Sequence, residues 1–335
     1  MKEIRSTARE LMTGYCKVCP VCNGKACAGE VPGMGGLGTG SAFMANVLAL
    51  AKYRFNMRLI HDVVQPQTRT SLLGLDLALP VIAAPIGGVS FNMGGKRSED
   101  EYITAIIDGC KQNGLIGCTG DGVPPFIHES GFKAIASAQG HGIPFIKPWE
   151  EAELNEKLEK AKSTGARIIG MDIDAAGLVT LRKMGRPVAP KTKQELAAII
   201  DGLGVKLILK GIMTAEDALM ARDAGAAAIV VSNHGGRVLD HTPGTAEVLA
   251  GIAQAVKGEL PIIVDGGVRS GADILKMLAL GADAVMIGRP FSIAAMGGLA
   301  DGVGRYIENL GTELMQAMVM TGTASVNNVS PDILF

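Results

Sequence analysis

Eight short apolar runs, each closed by a glycine or a polar residue, dominate the chain. They are PVIAAP, LIGCTG, IPFIKP, RIIGMDID, VKLILKG, AAIVVSNHGG, PIIVDGG and AVMIGRP, starting near residues 81, 115, 144, 167, 206, 227, 261 and 284. Each is rich in β-branched residues and short, the pattern of a strand buried on both faces. Each gap between them holds one helix and two short loops. Ser98 to Glu101 and Thr192 to Glu195 have capping-box spacing, and Thr214 opens a helix with Glu216 and Asp217 in its first turn. Gly114, Gly165, Gly225 and Gly281 stand where helix C-caps belong. Eight strand–helix units predict an α/β fold, a closed (β/α)8 TIM barrel over residues 42–335, in preference to an open doubly wound sheet. Residues 1–41 lack a hydrophobic period and read as a Cys/Gly-rich loop segment.

Charge and composition narrow the function classes. The chain has 32 Lys+Arg against 33 Asp+Glu, a formal net charge of −1, which gives no general pull toward nucleic acid or anionic lipid. No stretch reaches the ~18 apolar residues of a membrane span. The opening, MKEIRSTARELMTGYC, lacks the apolar core of a signal peptide. The expectation is a cytoplasmic protein acting on a small molecule. Glycine contributes 45 of 335 residues, well above the usual ~7%, as a fold with many tight turns and close backbone approaches requires.

In a barrel of this kind the chemistry lies at the C-terminal ends of the strands. There the sequence places Pro85, Ile86 and Gly87, then Thr119 and Asp121, then Lys147 and Trp149, then Asp172 and Asp174, then Lys210. The sixth strand ends in Ser232-Asn233-His234-Gly235-Gly236-Arg237, the seventh in Asp265-Gly266-Gly267-Val268-Arg269, and the eighth in Gly288-Arg289. Glycines beside Arg269 and Arg289 let backbone N–H groups approach an anion that the arginines clamp, which points to a phosphate. His234 and Arg237 put a base and a fixed cation on one loop, suited to deprotonating a substrate whose carboxylate the guanidinium holds. Lys210 ends an apolar strand, where it needs an anion. It either stabilises negative charge on a cofactor or substrate, or forms a Schiff base as an aldolase would.

Three stretches carry a family resemblance: Leu207-Ile-Leu-Lys-Gly-Ile-Met-Thr-Ala-Glu-Asp-Ala218, Val231-Ser-Asn-His-Gly-Gly-Arg-Val-Leu-Asp240, and Val264-Asp-Gly-Gly-Val-Arg-Ser-Gly-Ala-Asp273 followed by Gly288-Arg-Pro290. With them the chain resembles the FMN-dependent α-hydroxy acid oxidases and dehydrogenases, the glycolate and lactate oxidase group. The resemblance is strong over 204–290, weaker over 42–203 and 291–325, and absent over 1–41. It implies a TIM barrel with one FMN, a small-molecule 2-hydroxy acid oxidised to its 2-oxo acid, and a homo-oligomer. It implies His234 as base, Arg237 as carboxylate ligand, Lys210 at the flavin N1/C2 carbonyl, and Asp174 as the carboxylate orienting the histidine, with Asp172 the other candidate. FMN contacts fall at Pro85, Ile86, Gly87, Thr119, Lys147, Lys210, Ser232, Asp265, Gly266, Gly267, Arg269, Gly288 and Arg289. Trp149 stands where the family has a substrate tyrosine, and Arg182 lies next to the position of its second carboxylate arginine, so both are substrate candidates beside Arg237. These departures put the family's small substrates in question. The alternatives are a flavin barrel with another net reaction (a reduced-flavin isomerase or an ene-type reductase) and a non-catalytic flavin and metal redox module.

Cys16, Cys19, Cys22 and Cys27 have the spacing C-x2-C-x2-C-x4-C. A loop this compact can wrap an iron–sulfur cluster or, less typically for the spacing, a zinc ion. A redox dithiol pair and unliganded thiols are the other readings. A cluster would pass electrons between FMN and an electron-transfer partner. Gly33-Met-Gly-Gly-Leu-Gly38 formally matches G-x-G-x-x-G, but no strand precedes it and no acidic residue follows at the dinucleotide distance. It reads as a loop over the barrel mouth.

Overall fold

All eight runs become strands of one closed parallel barrel. The computed structural model describes residues 1–186, 188–256 and 258–335. Its barrel strands are β1 (Val81–Ala83), β2 (Ile116–Thr119), β3 (Ile143–Ile146), β4 (Ile168–Asp172), β5 (Lys206–Ile212), β6 (Ala228–Val231), β7 (Ile262–Val264) and β8 (Ala284–Ile287). They pair in chain order, and β8 returns to β1 with Val285 opposite Val81. Both faces of these strands are enclosed, so nearly every strand residue is buried.

The helix signals are realised. Ser98 and Thr192 cap their helices with reciprocal bonds from Glu101 and Glu195, and Thr214 accepts from the Asp217 N–H. Gly114, Gly165, Gly225 and Gly281 take φ of 66°, 82°, 90° and 105°, the left-handed turn that ends a helix before the next strand. An antiparallel hairpin, Thr70–Leu72 with Leu75–Leu77, lies at the opposite end of the barrel from the strand C-termini. There Lys206, at the start of β5, donates to the Leu73 carbonyl at 2.7 Å. No helix among the described residues is long and apolar enough to cross a membrane.

The N-terminal segment is more ordered than its sequence suggests. Lys2–Leu11 is a helix, where the composition reads as loop. It presents Ile4, Ala8 and Met12, four residues apart, to the helix Arg289–Thr321, which is kinked at Leu299 (φ 50°). The two approach so closely that a Cβ on Gly297 would collide with the Ile4 carbonyl oxygen. Only this tertiary contact reveals the helix, because one short amphipathic stripe is too little signal in the sequence alone.

Candidate active site

The loop after β6 is built by strain that the barrel holds in place. His234, Gly235 and Gly236 take φ of 56°, 62° and 77° in succession. Glycine serves the second and third at little cost; a Cβ on Gly236 would collide with the Phe43 backbone nitrogen. The histidine cannot avoid the strain, and its neighbours fix it. The Ser232 hydroxyl accepts from the His234 N–H at 3.0 Å and donates to Asp265 at 2.8 Å. Asn233 is locked to Asn46 at 2.8 Å. Backbone strain held this firmly is typical of functional positions.

The strand ends then bring the charges together. His234 Nδ1 lies 2.9 Å from Asp174 Oδ1. Asp172 instead faces two lysines, Lys210 at 3.2 Å and Lys147 at 3.9 Å. Burial pushes the Asp174 carboxyl up, but His234, Lys210 and Lys147 outweigh it and hold it below the usual range. Burial pulls Lys210 down, yet Asp172, Asp174 and Asp265 reverse this and leave its ammonium firmly charged. Asp265 goes the other way: burial raises it, and Lys210 and Ser232 offset only part of the rise.

Three arginines form a cationic corner. Arg289 donates to the carbonyls of Met34, Gly35 and Gly235 and stacks 3.8 Å over the Phe43 ring. Arg237 donates to the carbonyls of Gly33 at 2.6 Å and Gly35 at 3.1 Å, and to Asn92 at 3.1 Å. Arg269 reaches Cys22, and its Nε has no hydrogen-bond partner. Among the described residues none of the three is paired with a carboxylate. Burial pulls Arg289 down to about 9, with Arg237 and Arg269 beside it adding to the effect. Three clustered cations without a counter-charge are costly unless an anion joins them.

These groups line one cavity of about 350 Å³ at the C-terminal mouth of the barrel. Pro85, Ile86, Gly87, Lys147, Lys210, His234, Arg237, Asp265, Gly266, Gly267, Arg269, Gly288 and Arg289 all reach it, as the sequence predicts. Asp174 and Ser232 lie behind it and act on His234 and Asp265. Three residues expected at the site lie outside the lining. Thr119 does not line the cavity; it faces helix Pro125–Ser137, where a Cβ on Gly131 would lie 2.7 Å from its own. Trp149 is also absent from the lining: it is buried, and its indole N–H donates to Asp121 at 2.5 Å. Arg182 is exposed, and its neighbours Leu181 and Lys183 line the cavity instead. A short helix, Val179–Lys183, sets that phase, which no repeat in the sequence announces.

Sequence reasoning also gave no role to the anchor below the site. Asp121 accepts from the Lys147 N–H at 3.0 Å, from Trp149 and from Lys157 at 2.7 Å. Pro32 and Met34, from the glycine-rich segment, roof the cavity. The loop expected over the barrel mouth is there, held by its carbonyls to Arg237 and Arg289. The four clustered cysteines are half-buried free thiols, and no three of their sulfurs lie within 4.8 Å of one another.

A model of the FMN-dependent dehydrogenase family matches residues 33–191 and 178–335. The chain belongs to that family. This family member is 32% identical over 315 residues to an L-lactate oxidase of Lactobacillus jensenii, covering 85% of this chain and 75% of that one. It is 31% identical over 319 residues to a 4-hydroxymandelate oxidase of Amycolatopsis orientalis, covering 87% and 89%. The crystal structure of mandelate oxidase with (S)-2-phenylpropionate superposes with a TM-score of 0.79 at 29% identity, over 100% of this chain and 97% of that one. The flavoenzyme thus shares that fold, whereas the family match begins at residue 33, after the cysteine-bearing loop.

Proposed function

We propose that this flavoenzyme oxidises a 2-hydroxy acid to the 2-oxo acid, with FMN taking the electrons. The arrangement that carries the reading is a carboxylate-oriented histidine sharing one cavity with a fixed arginine and a cationic corner.

The residues fit FMN. Arg269 Nε and Asp265 Oδ1 are buried without partners. The cationic corner lacks any carboxylate among the described residues, and Gly266, Gly267 and Gly288 bring bare backbone to its edge. Arg269 and Arg289 would hold the phosphate with those glycines, and Asp265 with Ser232 the ribityl hydroxyls. The Pro85 to Gly87 loop would flank the ring. When bound, FMN supplies the two-electron acceptor.

This chain's own groups supply the rest. Arg237 uses three donor contacts on Gly33, Gly35 and Asn92, which leaves part of its five-donor fork for a substrate carboxylate. Asp174 accepts from His234 Nδ1–H, which leaves the lone pair on Nε2 to take a substrate proton. Asp174 also steadies the imidazolium that results. Lys210, held charged by three aspartates, stabilises negative charge beside it. The glycine-rich segment roofs the site and limits water.

The test is an absorption spectrum of anaerobically purified protein before and after a panel of 2-hydroxy acids. Flavin bands that bleach with an acid, with the matching 2-oxo acid formed, are the expected result. Flavin bands that no acid bleaches would overturn the reading.

A further inference from the structure

Oxidation of a 2-hydroxy acid uses none of the four cysteines on residues 16–27. They are half-buried free thiols, whereas Cys110 on the helix Glu99–Gln112 and Cys118 on β2 are fully buried. Their loop is shaped. Helix Lys2–Leu11 leads into it, Val18 takes φ 44°, and Lys25–Cys27 forms a tight turn. Gly24, at φ 85°, sits so close to the Phe43 ring that a Cβ there would lie 2.8 Å from it.

The loop is also framed by cations. Arg9 donates to the Val18 carbonyl at 3.0 Å, Arg5 to the Cys19 carbonyl and Lys17 to the Ala26 carbonyl. On the cavity side Arg269 Nη2 lies 3.8 Å from Cys22 Sγ. The nearby Glu30 is already paired with Lys17 at 2.9 Å. A set of thiolates gathered there would meet compensating positive charge from both sides.

The spacing of the cysteines chooses the ligand. Structural zinc usually takes two cysteine pairs set farther apart along the chain. A four-iron cubane binds one thiolate at each iron, and it takes four cysteines on closely spaced turns. We propose that Cys16, Cys19, Cys22 and Cys27 ligate a four-iron, four-sulfide cluster next to the arginine corner of the cavity. The geometry that carries this is a compact loop of four half-buried thiols in a cationic frame.

The experiment uses the full chain, purified anaerobically with its flavin and supplied with ferrous iron and sulfide. Iron, acid-labile sulfide and zinc are counted, and cysteine alkylation is mapped by mass spectrometry with and without a strong iron chelator. About four irons and four sulfides per chain are expected. Chelation should then expose the four loop cysteines to alkylation and leave Cys110 and Cys118 protected. Cys19→Ser and Cys22→Ser should lose most of the iron and keep the flavin. About one zinc per chain would overturn the proposal. So would metal-free thiols that alkylate freely from the start, a disulfide among them, or iron that persists in both variants. The alkylation map on the unaltered protein stands even if a variant fails to fold.

Discussion

Asp174, and not its neighbour Asp172, meets His234: the carboxylate oxygen lies 2.9 Å from Nδ1, while Asp172 turns to Lys210 and Lys147. Two carboxylates two residues apart in sequence therefore serve different partners. β4 ends at Asp172, and the turn that follows, Ile173–Gly177, swings Asp174 across to the loop after β6.

Asp174→Asn should lower kcat about 100-fold or more, the scale on which a positioned general base contributes. The amide keeps the shape but cannot steady an imidazolium. Steady-state kinetics at matched flavin content checks this. A loss under about threefold would remove Asp174 from the chemistry.

Arg237→Lys should cost about 10- to 100-fold in kcat/KM for a 2-hydroxy acid, since a lysine cannot present a planar fork. It should also free the glycine-rich segment, whose Gly33 and Gly35 carbonyls Arg237 now holds. Limited proteolysis near residues 30–40 should quicken. Unchanged kinetics with unchanged proteolysis would contradict both roles.

Trp149→Phe is expected to destabilise the fold by about 1.5–3 kcal/mol, the worth of a hydrogen bond to a charged group. KM should stay within a few-fold of the parent, because Trp149 does not line the cavity. Denaturant midpoints and substrate titrations separate the two. A tenfold rise in KM at unchanged stability would return Trp149 to the substrate site.

Asp121 gives a pH-dependent contribution. Burial raises its carboxyl, but His128, Lys157 and Lys147 outweigh that and hold it far below the ordinary value. It therefore stabilises the fold fully above the unfolded value of about 3.9, and the contribution fades as pH falls toward the lower folded value. Urea midpoints measured from pH 7 down to about pH 2 should fall more steeply for the parent than for Asp121→Asn. Parallel curves would show that the network carries no such linkage.

Gly236→Ala should cost about 2–4 kcal/mol, adding a left-handed penalty to a clash with the Phe43 backbone. Thermal unfolding of the holoenzyme measures it. A neutral substitution would mean that the loop relaxes without strain.

The fold was legible because its signals are local. β-Branched runs, capping boxes and C-cap glycines each act over a few residues, and eight of them in regular order leave little choice but closure. Much of the site was legible for the same reason: a motif at a strand end, such as Ser232 to Arg237, lands at the barrel mouth wherever the helices go. The directions taken by Trp149, Thr119 and Arg182 were not legible, because each depends on how its side chain packs against other elements. Nothing local says that Trp149 points to Asp121, or that Lys183 and not Arg182 faces the cavity.

The sequence by itself determined the barrel, the phosphate-type corner at Arg269 and Arg289, and the pairing of a base with a cation on one loop. Tertiary structure decided the rest. It chose Asp174 over Asp172, buried Trp149 in a polar anchor, made a helix of Lys2–Leu11, and fastened the glycine-rich loop over the cavity. The reason is physical. Strand and cap preferences are satisfied within the segment, whereas the roof exists only because Arg237, Arg289 and the kinked C-terminal helix supply partners that the segment lacks alone.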